Sequence, residues 1–536
     1  MSSKIDQENA IITEKDSTTD NVNVTELNDS TLSAQKEAIE DSTGANANLQ
    51  HFSKLALIGL SFAALNTWAA SSGTIFIGLA AGGPTSVLWG TIVGTCAALT
   101  IAISLAELCH LMPTKGAQYH WTFLLAPDRS NDKYRFLSYL SGWLGTAGWI
   151  CLTSTAPLLS AQNILTNITL YHPIQTGMWS VFSIYMGFTL YAVIINIFGI
   201  KLLDKMNSAA LFWSLIGCLV TFITLLASAG ARGTLNDGKF IFTTFLNFTG
   251  WPNGVAWLIG LLQTQYALVG TDAVTHVIGE ISNPRKNVPL AMILSCVIGG
   301  ASAFVVLIAF LACVKDPLAV IMAQGGGVLL IMMDAMGSKG GAVALNSIFL
   351  INQIFTGPAL VITSSRMLQA FAKDGCLPFN KYLGHISLHT ETPIYAALAN
   401  LVFLTIFGAL LFGSTIAVQA LQSASVVMLQ LSYLPSIVLH LLSGRKALRQ
   451  RGGEIAQRLK LGSRYGPIVN ICAICYICLT TVFFLLPPVI PVKSGSMMNY
   501  AVVVLAFCVL LALINWFLYA RRNFQEPIDL DRILSI

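Results

Sequence analysis

Leu268-Val269-Gly270-Thr271-Asp272-Ala273-Val274-Thr275-His276 forms the centre of a stretch, 251–289, around which the rest of the chain is arranged. The stretch begins as an ordinary apolar span at 255–262. It turns polar at Gln263, Gln265, Thr271, Asp272, Thr275 and His276, and ends at Glu280, Asn283-Pro284 and Arg285-Lys286. A carboxylate at a bilayer centre costs roughly 2.5–3.5 kcal/mol on insertion scales, so it normally faces a cavity or a partner. Gly270 beside Thr271 is where such a helix can unwind, and irregular backbone at membrane depth survives only where it is buried or lines water. A helix broken at the midplane around polar groups points to a transporter's binding site. A polar seam between packed helices is the competing reading of the same residues.

The surrounding chain fits that setting. Of 536 residues, 54% are hydrophobic and 10% charged, with a mean hydropathy of +0.68. A soluble domain carries roughly 25% charged residues, so the composition defines an all-α polytopic membrane protein. Residues 1–50 hold ten acids against Lys4, Lys15 and Lys36 and no aromatic residue. Such a segment buries too little surface to offset its ordering entropy, and it reads as a disordered acidic cytoplasmic tail, open to kinase or ubiquitin regulation or a plain tether. No cleavable signal peptide is recognisable, so the first span is expected to insert itself. The basic excess of the remainder is explained by topology and calls for no nucleic acid. The eleven cysteines lie almost entirely in apolar spans and read as small buried residues.

Twelve apolar segments are long enough to span: 54–80, 84–111, 137–163, 178–198, 206–229, 252–280, 288–313, 341–365, 393–412, 415–441, 467–487 and 498–520. With both termini inside, eighteen Lys and Arg of the connections, including the 445–464 cluster, fall on the cytoplasmic side. Five fall outside: Arg232, Lys239, Lys315, Lys339 and Lys493. The sequons at Asn167 and Asn247 then fall in outside loops as N-glycosylation candidates.

Ser71, Ser72, Gly73 and Thr74 interrupt the first span as the residues from Gly270 to Thr275 interrupt the sixth. Two discontinuous helices five spans apart predict inverted five-helix repeats over 54–229 and 252–441. The helices of 467–520 and a short tail, 521–536, follow, completing one twelve-span transporter domain over 51–536.

The chain resembles the fungal amino acid/choline branch of the amino acid–polyamine–organocation superfamily. The resemblance rests on Asn66-x-Trp68, Gly82-Gly83-Pro84, Ser104-Leu-Ala-Glu107, Gly116-x-Gln118-Tyr-x-Trp121, Asp272-x-x-Thr-His276 and Ala370-Phe-Ala-Lys-Asp-Gly375. The stretch at Asp272 looks closer to choline permeases than to GABA permeases, which usually carry paired carboxylates where Gly279-Glu280 stands. The resemblance implies a LeuT-like fold and proton-coupled uptake of a small nitrogenous solute, at the plasma membrane or, alternatively, the vacuole. A vitamin or vitamin-precursor carrier and a non-transporting nutrient sensor are the alternatives.

Transport of a charged solute needs groups that replace its water shell. Half-helix ends supply them, so the backbone at Ser71, Ser72, Gly73, Thr74, Gly270, Thr271 and Asp272 forms the expected solute site. Trp68 and Tyr266, each about a turn from a break, are candidates to cage an ammonium group. Asp272 can pair with a cationic solute or carry the coupling proton, and His276, one turn on, can share it. Glu280 is expected to pair with Arg285 or Lys286 in a gate, Glu107 to serve as gate or structural partner, and Arg366 to snorkel to the headgroups. A metal pair of His276 and Glu280 lacks a third ligand, Cys472-x-x-Cys475-x-x-Cys478 lacks a fourth, and there is no phosphate-cradling glycine loop. No cofactor, metal or enzymatic chemistry is expected.

Overall fold

A computed structural model describes residues 52–173, 177–412, 417–444, 462–495, 498–524 and 527. The expected tail 1–50, most of the 445–464 basic cluster and 528–536 lie outside the described residues. Those residues form helices and no β-strand; Phe52–Ile281 and Ala81–Asn247 are isolated bridges.

Among the described residues, nine helices are long and apolar enough to cross a membrane. Three expected spans fall outside that set for local reasons. The third lies within the forty-residue helix Asp132–Tyr171, where Gly, Ser and Thr dilute the apolar residues. The ninth is the short apolar helix Ile394–Ala409. The sixth is in pieces: Asn253–Gly260, Leu262–Leu268 and a 3-10 stretch, Ala273–Glu280.

The sixth segment breaks where the sequence places it. Gly270 has φ +95°, a conformation open to glycine and strained for a side chain. The first segment breaks earlier than expected. Helix Lys54–Leu65, capped by the Ser53 hydroxyl, ends at Asn66 in the left-handed conformation (φ 44°, ψ 40°), and Thr67–Gly73 starts beyond it. Asparagine tolerates that conformation. Ser71 and Ser72 lie inside the second piece instead of unwinding it. Ser72 and Thr74 donate to the carbonyls of Trp68 and Ala70 at 2.7 and 2.8 Å, so their hydroxyls are satisfied by the helix itself. A lesser interruption at Thr74 precedes Ile75–Ala80.

Helix Asp132–Tyr171 is central, packed on Ala417–Leu439 and on Lys339–Lys373, while Gly83–Leu111 packs on Pro284–Cys313. Helices Met178–Phe198 and Ile200–Ala231 turn Ile194, Phe198, Ile216 and Leu219 outward, an apolar surface suited to lipid tails. Helix contacts inside are close because small residues stand at the crossings. A Cβ on Gly59 would sit against the carbonyl of Asn207, on the neighbouring helix Ile200–Ala231. Gly59→Val therefore forces these helices apart. Overpacking of this kind costs about 1–3 kcal/mol, so the variant is expected to have a lower thermal midpoint in detergent. Gly254→Val, where a Cβ meets nothing within 4 Å, is the control and is expected to match the parent.

Candidate functional site

Asp272 is 1% exposed and is held by side chains from four elements. Gln118 Nε2, at the start of helix Gln118–Leu125, donates to Oδ2 at 2.6 Å. Trp149 Nε1, from the central helix, donates to the same oxygen at 3.3 Å, and Tyr433 OH, from Ala417–Leu439, donates to Oδ1 at 2.6 Å. His276 Nε2 lies 3.2 Å from Oδ2. Trp149 also explains the glycine at the break. A Cβ on Gly270 would lie 2.8 Å from Trp149 Cη2, and the indole meets the His276 ring edge-on at 6.1 Å.

The second ring nitrogen of His276 faces the Lys115 carbonyl at 3.1 Å. A carbonyl only accepts, so Nδ1 carries a hydrogen. Nε2 then either donates to the Asp272 carboxylate or accepts a proton held by the Asp272 carboxyl. Residues 115–118 thus clasp the pair twice, through the Lys115 carbonyl on His276 and the Gln118 amide on Asp272.

A small cavity lies between the two helix breaks, with Asn66, Ala70, Thr155, Tyr266, Val269 and Gln353 in its wall. Asp272 is not part of that wall. Tyr266 OH donates to Thr155 Oγ1 at 2.8 Å. Gln263 Nε2 donates to the Ser71 carbonyl at 3.0 Å and ties the two broken segments together. Trp68 departs from its expected role. Its Nε1 donates to Ser214 Oγ at 2.7 Å and its ring packs edge-on against Phe349, away from the cavity. Thr271 is buried, and the hydroxyl of Thr275 donates to the Asp272 carbonyl at 2.6 Å. Gly73 has open space where a Cβ would stand.

Glu280 pairs with Arg366, not with Arg285 or Lys286. Arg366 Nε and Nη2 reach Oε1 and Oε2 at 2.6 and 3.1 Å. The left-handed Asn283 starts a new helix that carries Arg285 and Lys286 onward, whereas Lys339–Lys373 packs directly on Ala273–Glu280. Arg366 is 4% exposed, so it does not snorkel. Glu107 Oε2 lies 3.1 Å from His440 Nε2, both side chains buried.

Of the two expected glycosylation sites, Asn167 is placed differently from the sequence expectation. Asn167 lies within helix Asp132–Tyr171, not in a loop, and its Oδ1 accepts from Asn346. Asn247 is in a connection, but its Nδ2 donates to the Trp251 carbonyl and to Asn253. Cys472, Cys475 and Cys478 lie on the exposed face of helix Gly462–Phe483.

Gln118 stood in a motif visible in the sequence without a role. Trp149, Tyr433 and Gln353 gave no such signal, because an aromatic or amide in a span says nothing about which way it faces.

A helical chain with apolar side chains turned outward and a carboxylate network at its centre is an integral multi-pass membrane protein. The family model described as amino acid permease matches residues 52–509, and the chain belongs to that family. It is 29% identical over 477 residues to a choline transporter of Saccharomyces cerevisiae, covering 88% of this chain and 82% of the relative. Amino-acid permease 2 of Neurospora crassa is 28% identical, covering 85% and 82%. The GABA-specific permease of Saccharomyces cerevisiae is 25% identical, covering 89% and 83%. These are transporters, not enzymes, and this chain is a transporter.

Removing one partner of a buried ion pair strands the other, at a cost of about 3–5 kcal/mol. Arg366→Met is therefore expected to lower the thermal midpoint in detergent more than the double variant Glu280→Gln/Arg366→Met does. Equal loss in both would show that the pair itself, not the stranded Glu280, sets the stability.

Proposed function

We propose that this protein is a secondary active permease importing a small nitrogenous solute of the class of choline, an amino acid or GABA, by proton symport and alternating access. The observation that carries the reading is the contact of Asp272 with His276, a buried carboxylate and an imidazole 3.2 Å apart, on the broken segment that also lines the cavity. The solute would occupy that cavity, touching Tyr266 and the backbone at the two breaks. Helix ends there leave N–H and C=O groups without intrahelical partners, suited to carboxylate and ammonium respectively. Asp272, absent from the wall and already held by four side chains, fits proton carriage better than direct pairing with the solute.

The architecture in this reading is LeuT-like. Twelve helices comprise inverted repeats at 54–229 and 252–441 with two helices appended, and the breaks at Asn66 and Gly270 stand in corresponding spans of the two repeats. Both termini are cytoplasmic, the lipid bilayer is the plasma membrane, and the Glu280–Arg366 pair closes the inner end as a gate.

The test is uptake of labelled choline, GABA, spermidine and a panel of amino acids by transporter-deficient yeast, at acid and at neutral pH, with and without a protonophore. One solute is expected to accumulate, more strongly at acid pH, and to stop accumulating with the protonophore. With one proton per solute, each unit of pH gradient is about 1.4 kcal/mol, a tenfold accumulation. Asp272→Asn is expected to lose accumulation while retaining exchange of internal for external solute. Accumulation that persists in the mutant would assign the proton elsewhere.

A further inference from the structure

Gln353, on helix Lys339–Lys373, lines the cavity between the breaks, is 6% exposed, and its Oε1 has no hydrogen-bond partner. A buried carbonyl oxygen in that position is costly until a donor reaches it. Neighbouring hydroxyls in the wall already donate locally: Tyr266 to Thr155, Thr155 to the Leu152 carbonyl, and Thr356 to the Asn352 carbonyl. They offer it nothing. Of the described residues that line the cavity, none is charged and Tyr266 alone is aromatic.

These facts bear on how an ammonium group is held there. A quaternary ammonium has no N–H and is recognised by a cage of several aromatic faces. This wall supplies one face, since Trp68 is turned away against Phe349. A primary or secondary ammonium carries the donor that Oε1 lacks. We propose that Gln353 is a specificity-determining residue of this permease: its Oε1 accepts a hydrogen bond from an N–H of the solute's amine, so the carrier takes amines that keep an N–H and rejects quaternary ammonium. The proposal deepens the transport reading above and rests on it for the cavity's role. It runs against the leaning toward choline that the motif at Asp272 gives.

A polar site left unpaired by an analogue that lacks the matching group discriminates strongly against that analogue. The experiment uses two N-methylation series that change little else: glycine through its mono- and dimethyl forms to the trimethyl betaine, and ethanolamine likewise to choline. Each member is measured for uptake in yeast, and for thermal stabilisation of the purified full-length protein in detergent. In whichever series is recognised, the members keeping an N–H are expected to exceed the trimethyl member by about 10- to 100-fold. Gln353→Met, close in volume, is expected to bring the members of that series within about threefold by weakening the N–H-bearing ones. Gln353→Asn, which keeps a shorter amide, is expected to retain part of the preference. A trimethyl member taken up or bound as well as its parent by the wild-type protein overturns the proposal, whether or not the variants fold. So does a preference unchanged in Gln353→Met. Binding in the expected order without uptake would support the role of Gln353 and overturn the transport reading. No binding of either series would overturn the choice of amine as the group recognised.

Discussion

One buried carboxylate sets the requirement that much of this structure meets. Asp272 sits where water cannot solvate it, and an ionised group in that position is tolerated only with excellent partners. Gln118, Trp149, Tyr433 and His276 supply them from four elements distributed over more than three hundred residues of chain. Each partner also fixes its own helix. Trp149 reaches the carboxylate only because Gly270 carries no side chain. The central helix must therefore lie against the break, and Ala417–Leu439 against the central helix.

The cavity and the carboxylate are neighbours with different chemistry. The wall between the breaks is neutral, built from amides, hydroxyls and aliphatic groups. The Asp272 carboxylate stands outside that wall, hydrogen-bonded to the Trp149 indole. Glu280 and Arg366 form a further charged layer, and their bidentate contact is independent of the Asp272 cluster.

Much of this was legible in the sequence and the remainder was not, for identifiable reasons. Gly270 could be read because a glycine beside polar residues in an apolar span has few explanations. The break at Asn66 was misplaced to Ser71 and its neighbours. A Ser-Ser-Gly-Thr run looks like the main interruption, yet the Ser72 and Thr74 hydroxyls bond back to the preceding turn and the helix runs on to Gly73, with a lesser interruption at Thr74. Asn66, a single residue able to adopt the left-handed conformation, was the actual signal. Trp68 and Trp149 exchanged importance because distance along a helix does not reveal facing. Glu280 was assigned to its sequence neighbours, but its partner lies eighty-six residues away, where helix packing and not proximity in the chain decides. Asn167 reads as a loop residue in the sequence, but the central helix runs on to Tyr171, beyond the apolar run that the sequence marks.

The double clasp of residues 115–118 has a mechanical consequence. The Lys115 carbonyl holds the imidazole of His276 and the Gln118 amide holds the Asp272 carboxylate, so a four-residue segment is anchored at both ends to one pair of side chains. The segment leads directly into helix Gln118–Leu125, so the start of that helix cannot shift without breaking a contact to Asp272 or His276.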